Sequence, residues 1–270
     1  MGVLNVTPDS FSDGGMWLDP DAAVSHARRM IADGADVIDV GGESTRPGAR
    51  TVELAEEMRR VLPIVEALAG EVVVSIDTRK EEVARAAVAA GARLVNDVSA
   101  SLWRVAADTG CGWVAMHMPA DPSVMASHAA YHDVVAEVTA YLVDRASEAR
   151  RAGVEEIWID PGIGFAKTAA HNFSLLKHLE EIVATGWPVL IGTSRKSFLA
   201  GPSRNEGDAA GSTAPTGSSV IGARSVASMP ERMEATVATS TWAILKGAAM
   251  VRVHDVAPAV VAASLAEMAS

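Results

Sequence analysis

The chain has 270 residues and a formal charge of −11, which results from 23 basic and 34 acidic side chains. Hydrophobic residues make up 49% of it and charged residues 21%, a composition that excludes a chain disordered throughout. The acidic balance argues against nucleic acid or an anionic membrane surface as a partner, so an anionic ligand needs a local basic cluster.

Short apolar runs rich in β-branched residues recur along the chain, and each precedes a segment with helical periodicity. The runs predict eight strands, at residues 2–6, 36–40, 72–76, 93–96, 112–117, 156–160, 188–192 and 249–253. The periodic segments predict helices between and after them, at residues 19–32, 52–69, 81–90, a short stretch through 105, 133–152, 171–184, 231–245 and 258–268.

Eight strand–helix units within about 250 residues match an α/β fold, the (β/α)8 TIM barrel, as a single domain over residues 1–270. The rival is an open doubly wound sheet, but no Gly-x-Gly-x-x-Gly turn follows the first strand. Residues 200–228 break the alternation because they are rich in Gly, Ser, Ala and Pro. We expect a flexible insertion there, with a substrate lid as the alternative.

The sequence predicts no internal disulfide, no targeting signal and no membrane span. Cys111 is the only cysteine, so the chain has no internal disulfide and no cysteine-based zinc site. No apolar run approaches the ~18 residues of a membrane span, and the N-terminus lacks a signal-peptide pattern. We therefore expect a soluble, cytoplasmic protein with no membrane partner.

Polar residues follow most of the predicted strands, at the barrel end where active sites of this fold lie. They are Asn5, Glu43, Ser44, Asp77, Asn96, Asp97, His117, Asp160, Ser194, Lys196, Arg252 and His254. A helix-capping role explains any one of them, but not the whole set. For His117, a structural role and a place in the site stay equally open.

The chemistry of this set suggests a substrate class. Asp77, Asn96 and Asp160 offer acceptors and an amide, which suit a flat heterocycle with several N–H groups. The cationic side chains, joined by Arg46, suit phosphate or pyrophosphate. We expect a nitrogenous ring at an acceptor-rich end and a phosphorylated tail at a cationic end.

Seven motifs occur along residues 2–256 in a fixed order: NVTPDSFSDGG, DVGGESTRPGA, SIDT, NDVS, DPGIGFAKT, GTSRKSF and RVHDV. In these motifs the chain resembles the dihydropteroate synthases of folate biosynthesis. The resemblance implies a transferase that joins 6-hydroxymethyl-7,8-dihydropterin pyrophosphate to p-aminobenzoate and releases pyrophosphate and 7,8-dihydropteroate. It also implies Mg²⁺ as cofactor and a homodimer, since dimers are common in that family.

The resemblance also implies roles for residues at matching positions. Asp77, Lys196 and Arg46 match catalytic positions, and Asn5 matches the magnesium contact. The positions that bind the pterin ring or line its pocket are Asp77, Asn96, Met116, Asp160, Phe165 and Lys196. The remaining substrate-binding positions are Phe11, Thr45 and Pro47 in two mobile loops, Ser197 at the start of a predicted helix for the p-aminobenzoate carboxylate, and Arg252 and His254 for pyrophosphate.

The implied reaction fits these residues. Loss of pyrophosphate leaves a methylene cation conjugated to the ring, which the Asp77 carboxylate can stabilise before the arylamine attacks. Two other readings remain: a Schiff-base lyase that uses Lys196, and a non-catalytic or corrinoid-methyltransferase-like pterin-binding barrel. The complete TPDSF and STRPG loops argue against the second, because pterin binding alone does not require them.

The chain departs from the family pattern at a few places. Ala100 follows NDVS where the family usually has glycine, and the segment after Leu199 is longer than expected. The sequence given also begins inside the first predicted strand, without the upstream segment of many relatives. None of these departures removes a matched ligand position.

Overall fold

The computed structural model describes residues 1–7, 20–44, 51–119, 129–200 and 229–269. Within these ranges, the strands are β1 (Gly2–Asn5), β2 (Val37–Gly41), β3 (Val73–Asp77), β4 (Leu94–Asp97), β5 (Gly112–Met116), β6 (Ile157–Asp160), β7 (Leu190–Ile191) and β8 (Met250–Val251). The helices are α1 (Pro20–Ala32), α2 (Leu54–Leu68), α3 (Glu81–Ala89), α4 (Trp103–Thr109), α5 (Val134–Arg151), α6 (Ala169–Lys177), α7 (Leu179–Val183), α8 (Met229–Leu245) and α9 (Val256–Ala269).

The strands form a closed parallel barrel. Strands β1 to β6 pair in chain order, and β7 pairs with β8. The Ile159 amide donates to the Pro188 carbonyl at 3.0 Å, which joins β6 to the segment of β7. The Val3 amide donates to the Val253 carbonyl at 2.8 Å, which joins the first unit to the last. The (β/α)8 barrel is therefore confirmed.

The inward-facing side chains of the strands are apolar at one end of the barrel, called the floor, and mostly polar at the other end, called the mouth. One compact apolar cluster consists of Met1, Val37, Leu94, Val114 and Leu190, with Trp158 and Met250 packed against it. Side chains two residues apart on a strand share a face. Two positions beyond the cluster, the same face therefore carries Asp39, Asn96, Met116, Asp160 and Arg252.

Two predicted helices differ from the structure. The single helix expected at residues 171–184 is two helices, α6 and α7, separated by His178, whose φ of −104° and ψ of 23° break the helical path. Helix α6 also begins earlier, because the Thr168 hydroxyl accepts from the His171 amide in a capping box. The helix expected at Ser197 is one 3-10 turn, Ser197–Ala200.

The predicted insertion at 200–228 lies outside the described residues, apart from its first residue. Among the described residues, no helix combines the length and apolar character needed to cross a membrane.

Candidate active site

The mouth of the barrel contains a buried cluster of four side chains, called the Arg252 cluster below: Asp39, Asp77, Asn96 and Arg252. Arg252 donates from Nε to Asp39 Oδ2 at 2.6 Å and from a terminal nitrogen to Asp77 Oδ2 at 2.7 Å. The Asn96 amide donates to the same Asp39 oxygen at 2.9 Å. The expected separation of acceptor and cationic ends is therefore wrong for Arg252, which lies between two carboxylates.

Burial and charge oppose one another in the Arg252 cluster. Burial raises the pKa of Asp77 above its ordinary value, and the nearby guanidinium counteracts that shift. Burial alone would lower the pKa of Arg252, but Asp39 and Asp77 raise it above its ordinary value. The guanidinium therefore stays charged, and it offsets only part of the rise that burial causes in the pKa of Asp77, to about 7.

A second group of charges lies beside this cluster, after β6 and β7. The Lys196 ammonium donates to the Ile163 carbonyl and lies 4.6 Å from the centroid of the Phe165 ring. Burial lowers the pKa of Lys196 to about 8, although Asp160 opposes the shift. Burial likewise raises the pKa of Asp160, opposed by Lys196, and Asp160 accepts from the Gly162 amide at 2.7 Å.

The loop after β6 is fixed by a buried lysine. The Lys167 ammonium lies 3.1–3.2 Å from the carbonyls of His117, Gly162 and Phe165, and 3.0 Å from His117 Nδ1. Burial lowers the pKa of Lys167 to about 7. Burial, and then Lys167, lowers the pKa of His117 to about 3, so this ring is neutral. His117 thus supports the loop that carries Phe165, which favours its structural role.

Close backbone packing explains a glycine of the DPGIGFAKT motif. Gly162 has a φ of +66°, and a Cβ there would lie 2.1 Å from the His117 carbonyl oxygen. Only glycine fits such a position without moving the backbone. The motif therefore contains a residue required by the path of the chain beside Asp160.

The other matched positions surround the same mouth. Ser194 is buried, and its hydroxyl accepts from the His254 amide at 3.1 Å and lies 2.9 Å from His254 Nδ1. Met116 is buried beside Asp160, its register partner on β6. Ser197 is exposed on the 3-10 turn.

Asn5 and Asp77 lie on either side of a glycine. Asn5, Gly41 and Asp77 are register partners across β1, β2 and β3. A Cβ on Gly41 would lie 3.7 Å from both Asn5 Oδ1 and Asp77 Oδ2, and the latter oxygen also accepts from Arg252. Among the described residues, no group of three acidic, histidine or cysteine side chains could hold a metal ion. The two side-chain oxygens are of the type that binds Mg²⁺.

Comparison with known proteins identifies the family. The model of the pterin binding enzyme family matches residues 1–254. A relative, the dihydropteroate synthase of Mycobacterium leprae, is 47% identical over 268 residues, covering 95% of this chain and 88% of that protein. The chain belongs to the pterin-binding enzymes.

Solved structures agree with this assignment. A Xanthomonas albilineans dihydropteroate synthase with 4-aminobenzoic acid superposes with a TM-score of 0.84 at 41% identity, covering 99% of this chain and 91% of that one. The same organism's enzyme in complex with 7,8-dihydropteroate gives a TM-score of 0.80 at 39% identity, covering 99% and 92%. Both cover nearly the whole of this pterin-binding enzyme.

A second buried cluster, called the Lys80 cluster below, consists of Glu43, Glu57, Thr78 and Lys80. The Lys80 ammonium lies 2.5 Å from Glu43 Oε2 and 2.5 Å from Glu57 Oε2, and donates to the Val52 carbonyl at 2.6 Å. Glu43 in turn accepts from the Val52 amide at 3.0 Å. The cluster thus joins the two chain ends that flank residues 45–50 of this pterin-binding enzyme.

Four matched positions are not placed. Phe11, Thr45, Arg46 and Pro47 lie outside the described residues. Their implied roles therefore remain predictions.

Sequence reasoning missed several residues of the two clusters and of the loop after β6, among them Asp39, Lys80 and Lys167. Asp39 had a signal, because an acidic residue in the middle of the apolar run DVIDV must occupy a buried strand position. Lys167 lies inside the quoted DPGIGFAKT motif, which was a weaker signal. Lys80 had none, because its partner Glu57 is 23 residues away in the chain.

Proposed function

We propose that this chain is a dihydropteroate synthase, which joins 6-hydroxymethyl-7,8-dihydropterin pyrophosphate to p-aminobenzoate. The observation that carries the proposal is the Arg252 cluster beside Lys196 and Asp160, at the barrel end where the reaction takes place in this fold. Relatives with this fold bind 4-aminobenzoic acid and 7,8-dihydropteroate, one substrate and the product of that reaction.

The pterin ring binds against the buried polar groups of the mouth. Asp160 and Asn96 accept hydrogen bonds from ring N–H groups, and Lys196 donates to the ring carbonyl. Met116 and Phe165 contact the ring faces, and the Phe165 ring in turn lies over the Lys196 ammonium. Burial of these groups supports the assignment, since a buried polar group needs a partner and the ring supplies several.

The reaction proceeds by departure of pyrophosphate. The bond between the methylene carbon and the pyrophosphate oxygen breaks, and its electron pair leaves with the oxygen. The resulting cation is stabilised by the Asp77 carboxylate, which the Arg252 guanidinium holds at 2.7 Å. The lone pair of the p-aminobenzoate amine then forms the new carbon–nitrogen bond, and the amine proton passes to the released pyrophosphate or to water.

Pyrophosphate leaves toward Arg252 and His254. Arg252 reaches it from between its two carboxylates, and the His254 imidazole lies 2.9 Å from the Ser194 hydroxyl. Asn5 and Asp77 would hold Mg²⁺ through their side-chain oxygens. When bound, the ion would neutralise charge on the departing pyrophosphate.

The remaining roles rest on the resemblance alone. Phe11 and Pro47 contact p-aminobenzoate, Ser197 meets its carboxylate, and Thr45 and Arg46 act from the second loop. The exposed position of Ser197 is compatible with contact to a substrate that arrives from solvent.

We further propose a homodimer that forms through α8 and α9. Large apolar side chains are exposed on these helices: Trp242, Leu245, Val261, Leu265 and Met268, of which Met268 is 76% exposed. Large apolar side chains exposed on two helices that pack together are typical of protein–protein contacts. Sedimentation analysis should show a dimer that the variant Leu265→Glu converts to a monomer; a monomeric parent would contradict the proposal.

A cytoplasmic location completes the proposal. Cys111 is buried and is the only cysteine, which suits a reducing compartment that does not use disulfides. Fractionation of the producing cells tests the assignment, and the protein should occur in the cytoplasmic fraction.

One assay tests the activity directly. Pyrophosphate release from the pterin pyrophosphate is followed with and without p-aminobenzoate, and 7,8-dihydropteroate is identified by mass spectrometry. We expect product and pyrophosphate in equal amounts. Pterin binding without product would favour the non-catalytic barrel, and a borohydride-trapped adduct on Lys196 would favour the lyase.

A further inference from the structure

We propose that Asp39 is a positioning residue that sets the orientation of the Asn96 amide, so that Asn96 offers its oxygen to the substrate. The inference rests on the proposed function for the identity of the ligand. Asp39 is buried, and the resemblance implies no ligand contact for it. Its proposed role is to select rings that carry an N–H group at this edge of the pocket.

The hydrogen-bond pattern leads to this assignment. Asp39 is fully buried, and its Oδ2 accepts from both Arg252 and Asn96. A carboxylate paired with a guanidinium only accepts hydrogen bonds, so the Asn96 nitrogen must face it. The Asn96 oxygen is then turned away from Asp39.

The reversed amide is strongly disfavoured at this place. It would set the Asn96 oxygen against the Asp39 carboxylate and leave the amide hydrogens without that acceptor. Asn96 is itself only 4% exposed, so water does not readily compensate for a lost partner. The preference for one orientation is therefore part of the unliganded protein.

The orientation has a consequence for recognition. An amide offers either an acceptor or two donors, depending on which end faces the ligand. Because Asp39 keeps the amide nitrogen on its own side, the Asn96 oxygen on the other side accepts from a ring N–H and disfavours a ring that presents a lone pair there. Arg252 holds Asp39 in turn, so the acceptor is fixed before the substrate arrives.

A charge-conserving swap tests the proposal. In Asp39→Leu, a side chain of similar shape offers Asn96 no acceptor, so the Asn96 amide can present its hydrogens to the ring as readily as its oxygen. We expect the affinity for 6-hydroxymethyl-7,8-dihydropterin pyrophosphate to fall about 10- to 100-fold. The double variant Asp39→Leu/Asn96→Asp keeps the net charge and presents an acceptor toward the ring in either orientation, so its affinity should return to within about fivefold of the parent.

Two outcomes of the swap decide between roles. Recovery in the double variant supports the orienting role, because a merely structural role would make the double variant at least as weak as the single one. The urea midpoint serves as the control, because a double variant that regains affinity without regaining stability shows an effect on recognition rather than on the fold. A double variant that binds no more tightly than Asp39→Leu overturns the proposal.

A second measurement does not depend on substrate or turnover. In the ¹⁵N–¹H spectrum of the unliganded parent, the side-chain amide of Asn96, assigned from its loss in Asn96→Asp, should show one strongly hydrogen-bonded proton. That signature should disappear in Asp39→Leu. An ordinary, solvent-exchanging Asn96 amide in the parent overturns the inference even if the enzyme turns over, whereas the expected signature without turnover contradicts only the proposed function.

Discussion

The Arg252 cluster and the Lys80 cluster each contain a cation and two carboxylates, but they lie in different parts of the molecule. In each, one cation lies between two carboxylates at 2.5–2.7 Å, and one of the two carboxylates is almost completely buried. Arg252 joins Asp39 and Asp77, which point into the barrel, whereas Lys80 joins Glu57 on α2 to Glu43 and the Val52 carbonyl.

The difference shows how position decides the role of a buried ion pair. The planar guanidinium of Arg252 fixes two carboxylates at set angles in the barrel mouth, where a substrate meets them. The ammonium of Lys80 makes contacts in several directions and joins segments of the chain behind the mouth. We therefore expect loss of Arg252 to affect catalysis first and loss of Lys80 to affect stability first.

The largest effect is expected from Lys80→Met. The substitution leaves Glu57, whose side chain is 1% exposed, without its cation, and leaves Glu43, 9% exposed, with Arg79 as its remaining cation. The free energy of unfolding should fall by about 3–5 kcal/mol, as measured by urea denaturation.

The matched control for Lys80→Met is Arg85→Met. Arg85 also lies between two carboxylates, those of Glu81 and Asp108, each at 2.8 Å, but on the surface. Its loss should leave the urea midpoint nearly unchanged, because solvent screens exposed pairs. Equal destabilisation by the two substitutions would show that burial does not distinguish them.

A smaller effect should follow from exchanging the cations without removing charge. Arg252→Lys keeps a cation but loses the fork that reaches Asp39 and Asp77 together, so kcat/KM should fall about 10- to 100-fold, or roughly 1.4–2.7 kcal/mol. Lys80→Arg is the partner experiment, and its kcat/KM should stay within a few-fold of the parent. Steady-state kinetics measure both; the opposite ranking would contradict the division of roles.

The pH dependence of pterin binding should show the charge of Lys196. Burial lowers its pKa to about 8, so it is charged below that pH and loses its proton as the pH rises through it. If the charged form donates to the ring, affinity should fall by up to about tenfold per pH unit above 8. In Lys196→Arg this decrease should vanish, since arginine stays charged; a decrease that persists there would exclude Lys196 as its source.

The smallest effect is expected at Ala100, away from both cations. Ala100 has a φ of +51°, in the left-handed region where the resembling family usually has glycine. Ala100→Gly relieves this conformation but increases the entropy of the unfolded chain, for a net gain of about 0.5 kcal/mol. Thermal unfolding measures it, with Ala106→Gly within α4 as a control that should destabilise.

Sequence patterns predicted the barrel well because each strand and helix has its own local pattern of apolar residues. The runs GVLNV, DVIDV and VVVSI are apolar and β-branched, and each became a strand within two residues of its expected ends. The break at His178 was missed because the apolar periodicity continues through Leu179 and Ile182, both buried in α7.

The site was only partly predictable, since contacts between distant residues leave no local pattern. Asp77, Asn96 and Asp160 were found because they end strands. That Arg252 binds Asp39 could not be predicted, because 213 positions separate the two in the chain. Closure of the barrel brings them together, so the pairing is a property of the fold rather than of any segment.

The central claim is that the Asp77 charge stabilises the cation formed as pyrophosphate leaves. Asp77→Asn keeps the shape and one acceptor but removes that charge, so the single-turnover rate should fall about 10²–10³-fold, or 2.7–4 kcal/mol, with pterin affinity changed only a few-fold. Asp160→Asn should do the reverse, since Asp160 binds the ring equally before and during the reaction. If Asp77→Asn loses pterin affinity while its single-turnover rate is unchanged, the claim is contradicted.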